Sequence, residues 1–263
     1  MKHFEFGENW EDYSNLIGAK ELMASMEKLE NLIGIENIEG KTVLDIGSGS
    51  GIHSLSFLKL GAQNVEAFDY DLNSVRTTSE VILKHWSHMN WSSSFGDILS
   101  DDLKLKTYDL VYSWGVLHHT GNLDLALKNA SKLVSENGLF VVALYKKTPM
   151  CGIWKIEKYL YTHSGQKIRE VLLELYKTFF KLGLAIRNKS FQEHSESYSS
   201  NRGMTLENDM IDWLGGYPYE SISEKEVIRL LKIQGFDLIA SKPSTVRTGI
   251  LGSGCSEFVF RRM

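Results

Sequence analysis

Proline and cysteine are scarce in this chain, at 3 and 2 of 263 residues. So little proline excludes collagen-like and Pro-rich disordered architectures. With only Cys151 and Cys255, far apart in sequence, there is no disulfide framework, as suits a reducing compartment. Long apolar runs are missing as well. The longest, residues 139–145, falls far short of the ~18 residues a spanning helix requires. No repeat period marks a solenoid. The opening MKHFEFGENW has no signal-peptide core, so the expected location is cytoplasmic. No sign of charge dominates: 29 Lys and Arg against 33 Asp and Glu leave a net −4 and a pI near 6.1. That balance offers nucleic acid no global attraction.

What is present is ample apolar material, 43% of residues, in a length that suits one α/β domain carrying a large insertion. Residues 11–33 space Leu16, Ile17, Leu22, Met23, Met26, Leu29, Leu32 and Ile33 by threes and fours, which predicts one or two amphipathic helices in an N-terminal helical cap, 1–40. Across 41–145 short apolar runs alternate with helix-patterned segments near 51–60, 72–87 and 122–135, the signature of crossover connections and a parallel sheet covered on both faces. Gly61 stands where the first core helix should stop, and Asn122 where another should be capped.

The alternation pauses over 146–220, where helical stretches such as 153–161 and 168–187 sit between Pro149 and Pro218. An insertion at the carboxyl edge of such a sheet commonly supplies a lid over the substrate. Its longest helix is expected to pack its apolar face onto the core, with a membrane surface or lipid-linked acceptor as the alternative contact. Over 221–263, Ser223 and Glu226 form a capping box that opens a helix to about Gln234, and two closing strands, FDLIAS and SEFVFR, form an antiparallel hairpin.

The sharpest local signal is Val43-Leu44-Asp45-Ile46-Gly47-Ser48-Gly49-Ser50-Gly51, a buried strand entering a glycine-rich turn that opens a helix. A ligand must approach this backbone closely. The spacing is GxGxG, with Ile52 where a dinucleotide fingerprint needs glycine, and no phosphate-loop GK[ST] follows. Asp45 before the turn would repel a pyrophosphate and can pair with an ammonium or sulfonium. Asp69 ends the second strand, where a carboxylate can accept both ribose hydroxyls. Tyr70 offers a flat face for a purine, and Asp97, beside Ile98, can accept from an exocyclic amine.

In these residues the chain resembles the class I S-adenosylmethionine-dependent methyltransferases, over about 41–145 in motif and 221–262 in topology. The resemblance implies a Rossmann-like α/β fold with strand order 3-2-1-4-5-7-6 and an antiparallel last strand. It also implies S-adenosylmethionine as cofactor and S-adenosylhomocysteine as product, held by Asp45, Gly47, Ser48, Gly49, Gly51, Asp69, Tyr70, Asp97, Ile98 and Trp114.

The fourth strand, from Tyr108, runs into Trp114-Gly115-Val116-Leu117-His118-His119-Thr120. This turn is similar to the VLEH or VLYH segment of ubiquinone-type O-methyltransferases and wobble-uridine carboxymethyl-transferring enzymes. His119 matches the family histidine and His118 the variable position before it, and the resemblance implies that this turn faces the methyl group, with both as candidate catalytic residues. A hydroxyl acceptor must lose a proton, and histidine is suited to take it; the alternative for His119 is packing under the loop. Trp10 and Tyr13 can form an aromatic lid or simply pack a leading helix. Tyr217 and Tyr219 in DWLGGYPYE can wall the substrate site or belong to a tight re-entry turn. His85 and His88 lie one helical turn apart, but no Cys, His and carboxylate set has metal-ligand spacing, so no metal is expected. The reading is an O-methyltransferase acting on a small or carrier-linked hydroxyl, such as a sugar, sugar nucleotide, surface-glycan precursor or quinol. A tRNA wobble-uridine enzyme or a non-catalytic cofactor-binding partner subunit are the alternatives.

Overall fold

A computed structural model describes residues 6–14, 17–100, 106–186, 188–202, 206–250, 252 and 254–263. The strands are β1 (Thr42–Ile46), β2 (Asn64–Asp69), β3 (Trp91–Phe95), β4 (Tyr108–Trp114), β5 (Val134–Tyr145), β6 (Phe236–Lys242) and β7 (Cys255–Arg262). They form one seven-stranded sheet ordered β3-β2-β1-β4-β5-β7-β6. The first five pair in parallel, and β7 runs antiparallel between β5 and β6, as the resemblance implied.

The helices are α1 (Gly7–Ser14), α2 (Ala19–Ile33), α3 (Ile52–Lys59), α4 (Leu72–His85), α5 (Leu123–Lys132), α6 (Cys151–His163), α7 (Gln166–Ala185), α8 (Phe191–Arg202), α9 (Leu206–Gly215) and α10 (Glu224–Ile233). Because successive strand residues face opposite ways, Val43, Val65, Leu110, Val141 and Val259 pack with α2, α3 and α4. Their neighbours Leu44, Val111, Phe140, Val142 and Phe260 pack with α5 and α10 on the other face. The sheet is buried on both sides, which is why its central strands read as continuous apolar runs.

Local signals fix the helix ends. Gly61 takes φ +88° just after α3. The Asn122 side chain accepts from the Leu125 amide at 3.2 Å, and Ser223 and Glu226 bond reciprocally at the start of α10. Two ends differ from the sequence reading. Helix α4 stops at His85 because Trp86 is already extended, its indole donating to Asn90 Oδ1 at 2.9 Å. Helix α5 stops at Lys132 because Val134 already pairs with Tyr108 and starts a longer β5, whose register shifts at a bulge before Leu139.

The insertion leaves and rejoins the core at one place. The Lys147 amide donates to the Ile222 carbonyl, and the Ile222 amide to the Tyr145 carbonyl, both at 3.0 Å. Between these points lie α6 to α9. Helices α8 and α9 were not singled out in the sequence; α8, FQEHSESYSSNR, is polar and lacks an apolar stripe. The buried Lys158 ammonium ties α6 to α9 by donating to the Trp213 carbonyl, with Glu157 as its ion partner at 3.7 Å. Helix α8 meets α2 and α9 meets α1, so insertion and N-terminal cap together roof the carboxyl edge of the sheet. In α7 and its C-cap, Leu172, Leu173, Tyr176, Phe180 and Leu184 are partly or fully buried, as expected, whereas Val171, Leu175, Phe179, Leu182 and Ile186 are exposed. The packing expectation therefore holds for only one of its two apolar rows.

Gly51 has φ +77°, and a Cβ there would stand 2.7 Å from Thr78 Cα in α4. Gly51→Ala should therefore lower unfolding stability by about 1–3 kcal/mol, through left-handed strain and the backbone clash. Urea unfolding of the two proteins measures this.

Candidate active site

A cavity of about 320 Å³ opens at the carboxyl ends of β1, β2 and β4, roofed by α1, α2 and the end of the insertion. It sits where the connections after β1 and β4 diverge to opposite faces of the sheet, the place where α/β sheets leave a crevice.

The glycine loop forms its floor. Gly47 takes φ +76° and its amide donates to the Phe68 carbonyl at 2.8 Å; a side chain at Gly47 would collide with Val116. A Cβ on Gly49 would lie 3.1 Å from the Trp10 indole, so Trp10 packs directly over the loop. Ser48 also lines the cavity, its hydroxyl bonded to Thr78 Oγ1 at 2.9 Å, whereas Gly51 serves packing against α4.

Asp69 lies at the wall, accepting from the Gly49 amide at 3.0 Å and the Asp71 amide at 2.9 Å. Burial pushes its carboxyl up to about 6, against the pull of those amides. Tyr70 is exposed and contacts Phe95 with ring centroids 5.8 Å apart. Asp97 and Ile98 line the same side, Asp97 Oδ1 accepting from the Leu99 amide at 2.8 Å. Trp114 closes the other side. Its indole donates to Glu257 at 3.3 Å, and the Lys28 ammonium lies 4.9 Å above its ring.

Asp45 is placed differently from the expectation. It alternates with Leu44 and Ile46, so its carboxylate turns behind the loop and accepts from Ser54 Oγ in α3 at 2.6 Å, buried and away from the cavity lining. It braces the loop rather than meeting a ligand. Burial pushes its carboxyl up to about 7; the Ser54 bond opposes this and the Asp69 charge adds to it.

The two histidines separate cleanly. His119 lines the cavity, and its Nδ1 lies 2.9 Å from the Pro218 carbonyl. A carbonyl can only accept, so Nδ1 carries the proton and Nε2 is the basic nitrogen. A Cβ on Gly216 would stand 2.5 Å from His119 Cε1, so this glycine lets the backbone seat directly on the imidazole. His118 is buried behind it and does not line the cavity, contrary to its expected place beside the reaction. The Tyr145 amide donates to its Nδ1 at 3.3 Å, and its Nε2 has no hydrogen-bond partner among the described residues. Burial, then the neighbouring His119 and Lys158 charges, hold it well below the usual histidine range, hence neutral.

Of the expected substrate contacts, Tyr217 lines the cavity. Tyr219 is buried beneath it, its hydroxyl donating to Cys151 Sγ at 3.3 Å. The Tyr13 side chain lies outside the described residues. Among the lining residues without a sequence signal are Phe6, Lys28, His53 and Asp209. His53 is driven down to about 3 by burial and by Lys28, so it is neutral. Each comes from a different element, and only the fold brings them together. No cluster of three or more His, Cys, Asp or Glu among the described residues could hold a metal ion.

A family model described as a methyltransferase domain matches residues 19–241. The chain belongs to the methyltransferase-domain family. Among related sequences, the ribosomal protein L11 methyltransferase of Prochlorococcus marinus is 43% identical over 75 residues, 27% of this chain and 25% of that protein. The ubiquinone biosynthesis O-methyltransferase of Pelagibacter ubique is 26% identical over 106 residues, 40% of this chain and 42% of that protein. Each match spans less than half the relative's length. Among solved structures, magnesium protoporphyrin IX methyltransferase from Synechocystis PCC 6803, crystallised with S-adenosylhomocysteine, superposes with a TM-score of 0.56 at 15% identity. The overlap covers 95% of this chain and 86% of that one. This methyltransferase domain thus shares its overall fold with that solved structure.

Asp45 holds its proton to higher pH folded than unfolded, where its value is near 3.8. Its contribution to stability is therefore greatest near pH 4, declines as pH rises to about 7, and is level above that. Asp45→Asn keeps an acceptor for Ser54 and removes the decline. Between about pH 5 and about pH 8 the variant should gain on the order of 2–3 kcal/mol over the parent protein. Urea unfolding across that range would refute this by giving parallel profiles.

Proposed function

We propose that this chain is an S-adenosylmethionine-dependent methyltransferase that methylates a hydroxyl oxygen of a small or carrier-linked acceptor, with His119 as general base. The observation that carries the reading is the 2.9 Å contact between His119 Nδ1 and the Pro218 carbonyl, which directs the basic nitrogen of a cavity-lining imidazole.

The cavity residues suit this cofactor. Glycines at 47 and 49 let a sulfonium ligand lie close to the loop backbone, and no phosphate-loop GK[ST] follows them. In this reading Asp69 takes the ribose hydroxyls, replacing some of its present amide partners, while Tyr70 and Ile98 flank the adenine and Asp97 accepts from its amine. Lys28 and Trp114 stand at the opposite end, where a carboxylate and a cation respectively would be favoured. When bound, S-adenosylmethionine supplies a methyl carbon already activated by its positive sulfur.

The chain's own work is alignment, exclusion of water and proton transfer. Trp10, Tyr217 and the α9 end of the insertion cover the reacting region. The acceptor hydroxyl gives its proton to His119 Nε2 as its oxygen becomes nucleophilic. The imidazolium then formed shares its Nδ1 proton with the Pro218 carbonyl, which stabilises the charge and prevents the ring from flipping. A ribosomal protein L11 methyltransferase and a ubiquinone biosynthesis O-methyltransferase both stand among the relatives, so neither one's acceptor is carried over to this chain.

His119→Ala should slow methyl transfer by about 10²–10⁴-fold while S-adenosylhomocysteine binding stays within severalfold. Transfer of labelled methyl from S-adenosylmethionine into a fractionated cell extract, read beside calorimetric binding, measures both. Label in the small-molecule or glycan fraction that vanishes with the variant supports the base. Near-normal turnover would leave His119 a packing residue, and label in RNA would replace the acceptor class by a tRNA.

A further inference from the structure

The insertion presents an apolar face that nothing in the described chain covers. Along α7 and its cap, Ile168, Val171, Leu175, Phe179, Leu182 and Ile186 are each between 51% and 76% exposed. Helix α6 adds Ile153, Ile156 and Leu160, also three and four apart and more than half exposed. These are not the residues that hold the helices to the domain; α7 uses its other row for that.

We propose that this face is a docking surface for an anionic lipid bilayer. Three observations select that occupant. First, the exposed charged side chains described along α6, α7 and the turn after it are Lys155, Lys167, Lys181 and Lys189 against Glu170 and Glu174, a positive excess inside a chain whose net charge is −4. Two copies of such a face repel each other, whereas a layer of acidic headgroups attracts both. Second, the α7 row advances from 168 to 186 in five steps, which is the period of a straight α-helix, about 3.6 residues. A straight stripe about 30 Å long fits a planar apolar layer, and no helix among the described residues is long and apolar enough to cross one. Third, the face continues into the active-site wall: the half-exposed Tyr159 of α6 stacks on His163 at 4.2 Å and meets Tyr217 edge-on at 5.4 Å. Lys167 and Lys189, both exposed, stand at the two ends of α7, where they can reach headgroups while the row beside them enters the acyl boundary.

The test is co-sedimentation of the full chain with vesicles of phosphatidylcholine alone and of phosphatidylcholine with one-third phosphatidylglycerol. Binding to the anionic vesicles should exceed binding to the neutral ones and fall with added salt. The pair Leu175→Ser with Phe179→Ser should weaken it tenfold or more on both vesicle types. The pair Lys167→Glu with Lys189→Glu should weaken it by a similar factor only on the anionic ones. All four positions are exposed, so both variants should keep the parent's thermal midpoint. Absence of vesicle binding overturns the proposal. So does a dimer in sedimentation velocity that the Ser pair returns to monomer, which would make the face a self-interface. Capture by bulk tRNA that competes with vesicles and depends on the same lysines would also overturn it. Vesicle binding is read without turnover, so its failure and the failure of the methyltransferase reading are separate results.

Discussion

Everything in this molecule is arranged around the divergence of two neighbouring strands. β1 and β4 pair in parallel at the centre of the sheet, yet the chain leaves β1 toward α3 on one face and β4 toward α5 on the other. Covering both faces with helices satisfies the hydrophobic requirement of a parallel sheet but leaves the ends of these two strands with nothing above them. The glycine loop after β1 and the histidine turn after β4 border that gap. The roof of α1, α2 and the insertion can then be read as what converts a gap into an enclosed, selective cavity.

Much of this was legible in the sequence because it rests on local physics. Apolar alternation gave strand and helix order, and glycines at 47, 49 and 51 marked a backbone that must turn left-handed and stay bare. Asp69 and Asp97 could be placed because one ends β2 and the other lies two residues past the end of β3, and both line the cavity. Asp45 misled because its strand parity, not its nearness to the loop, decides which way it points. His118 and His119 are adjacent and chemically identical; a single 3-10 turn sends one into the core and the other to the cavity. Lys28, His53 and Asp209 were invisible, since nothing local to α2, α3 or α9 records that they converge.

The insertion showed the limit of periodicity most plainly. A helix with apolar residues on two faces has the same spacing pattern whether both rows are buried or only one is. The sequence of α7 therefore foretold a packed helix, and half of it is one.

The closure of the insertion at Lys147 and Ile222 has an evolutionary consequence. Lengthening a surface excursion whose ends already meet adds only a slowly growing entropic cost, so this segment is where the domain can trade one acceptor for another without disturbing the strands that face the cofactor pocket. That freedom stops at one atom. The carbonyl that orients His119 belongs to Pro218, inside the exchangeable segment. A replacement that reshapes the acceptor chamber therefore inherits a chemical obligation: it must return to the core with an acceptor oxygen at that position, or the new chamber will enclose an imidazole with no fixed tautomer.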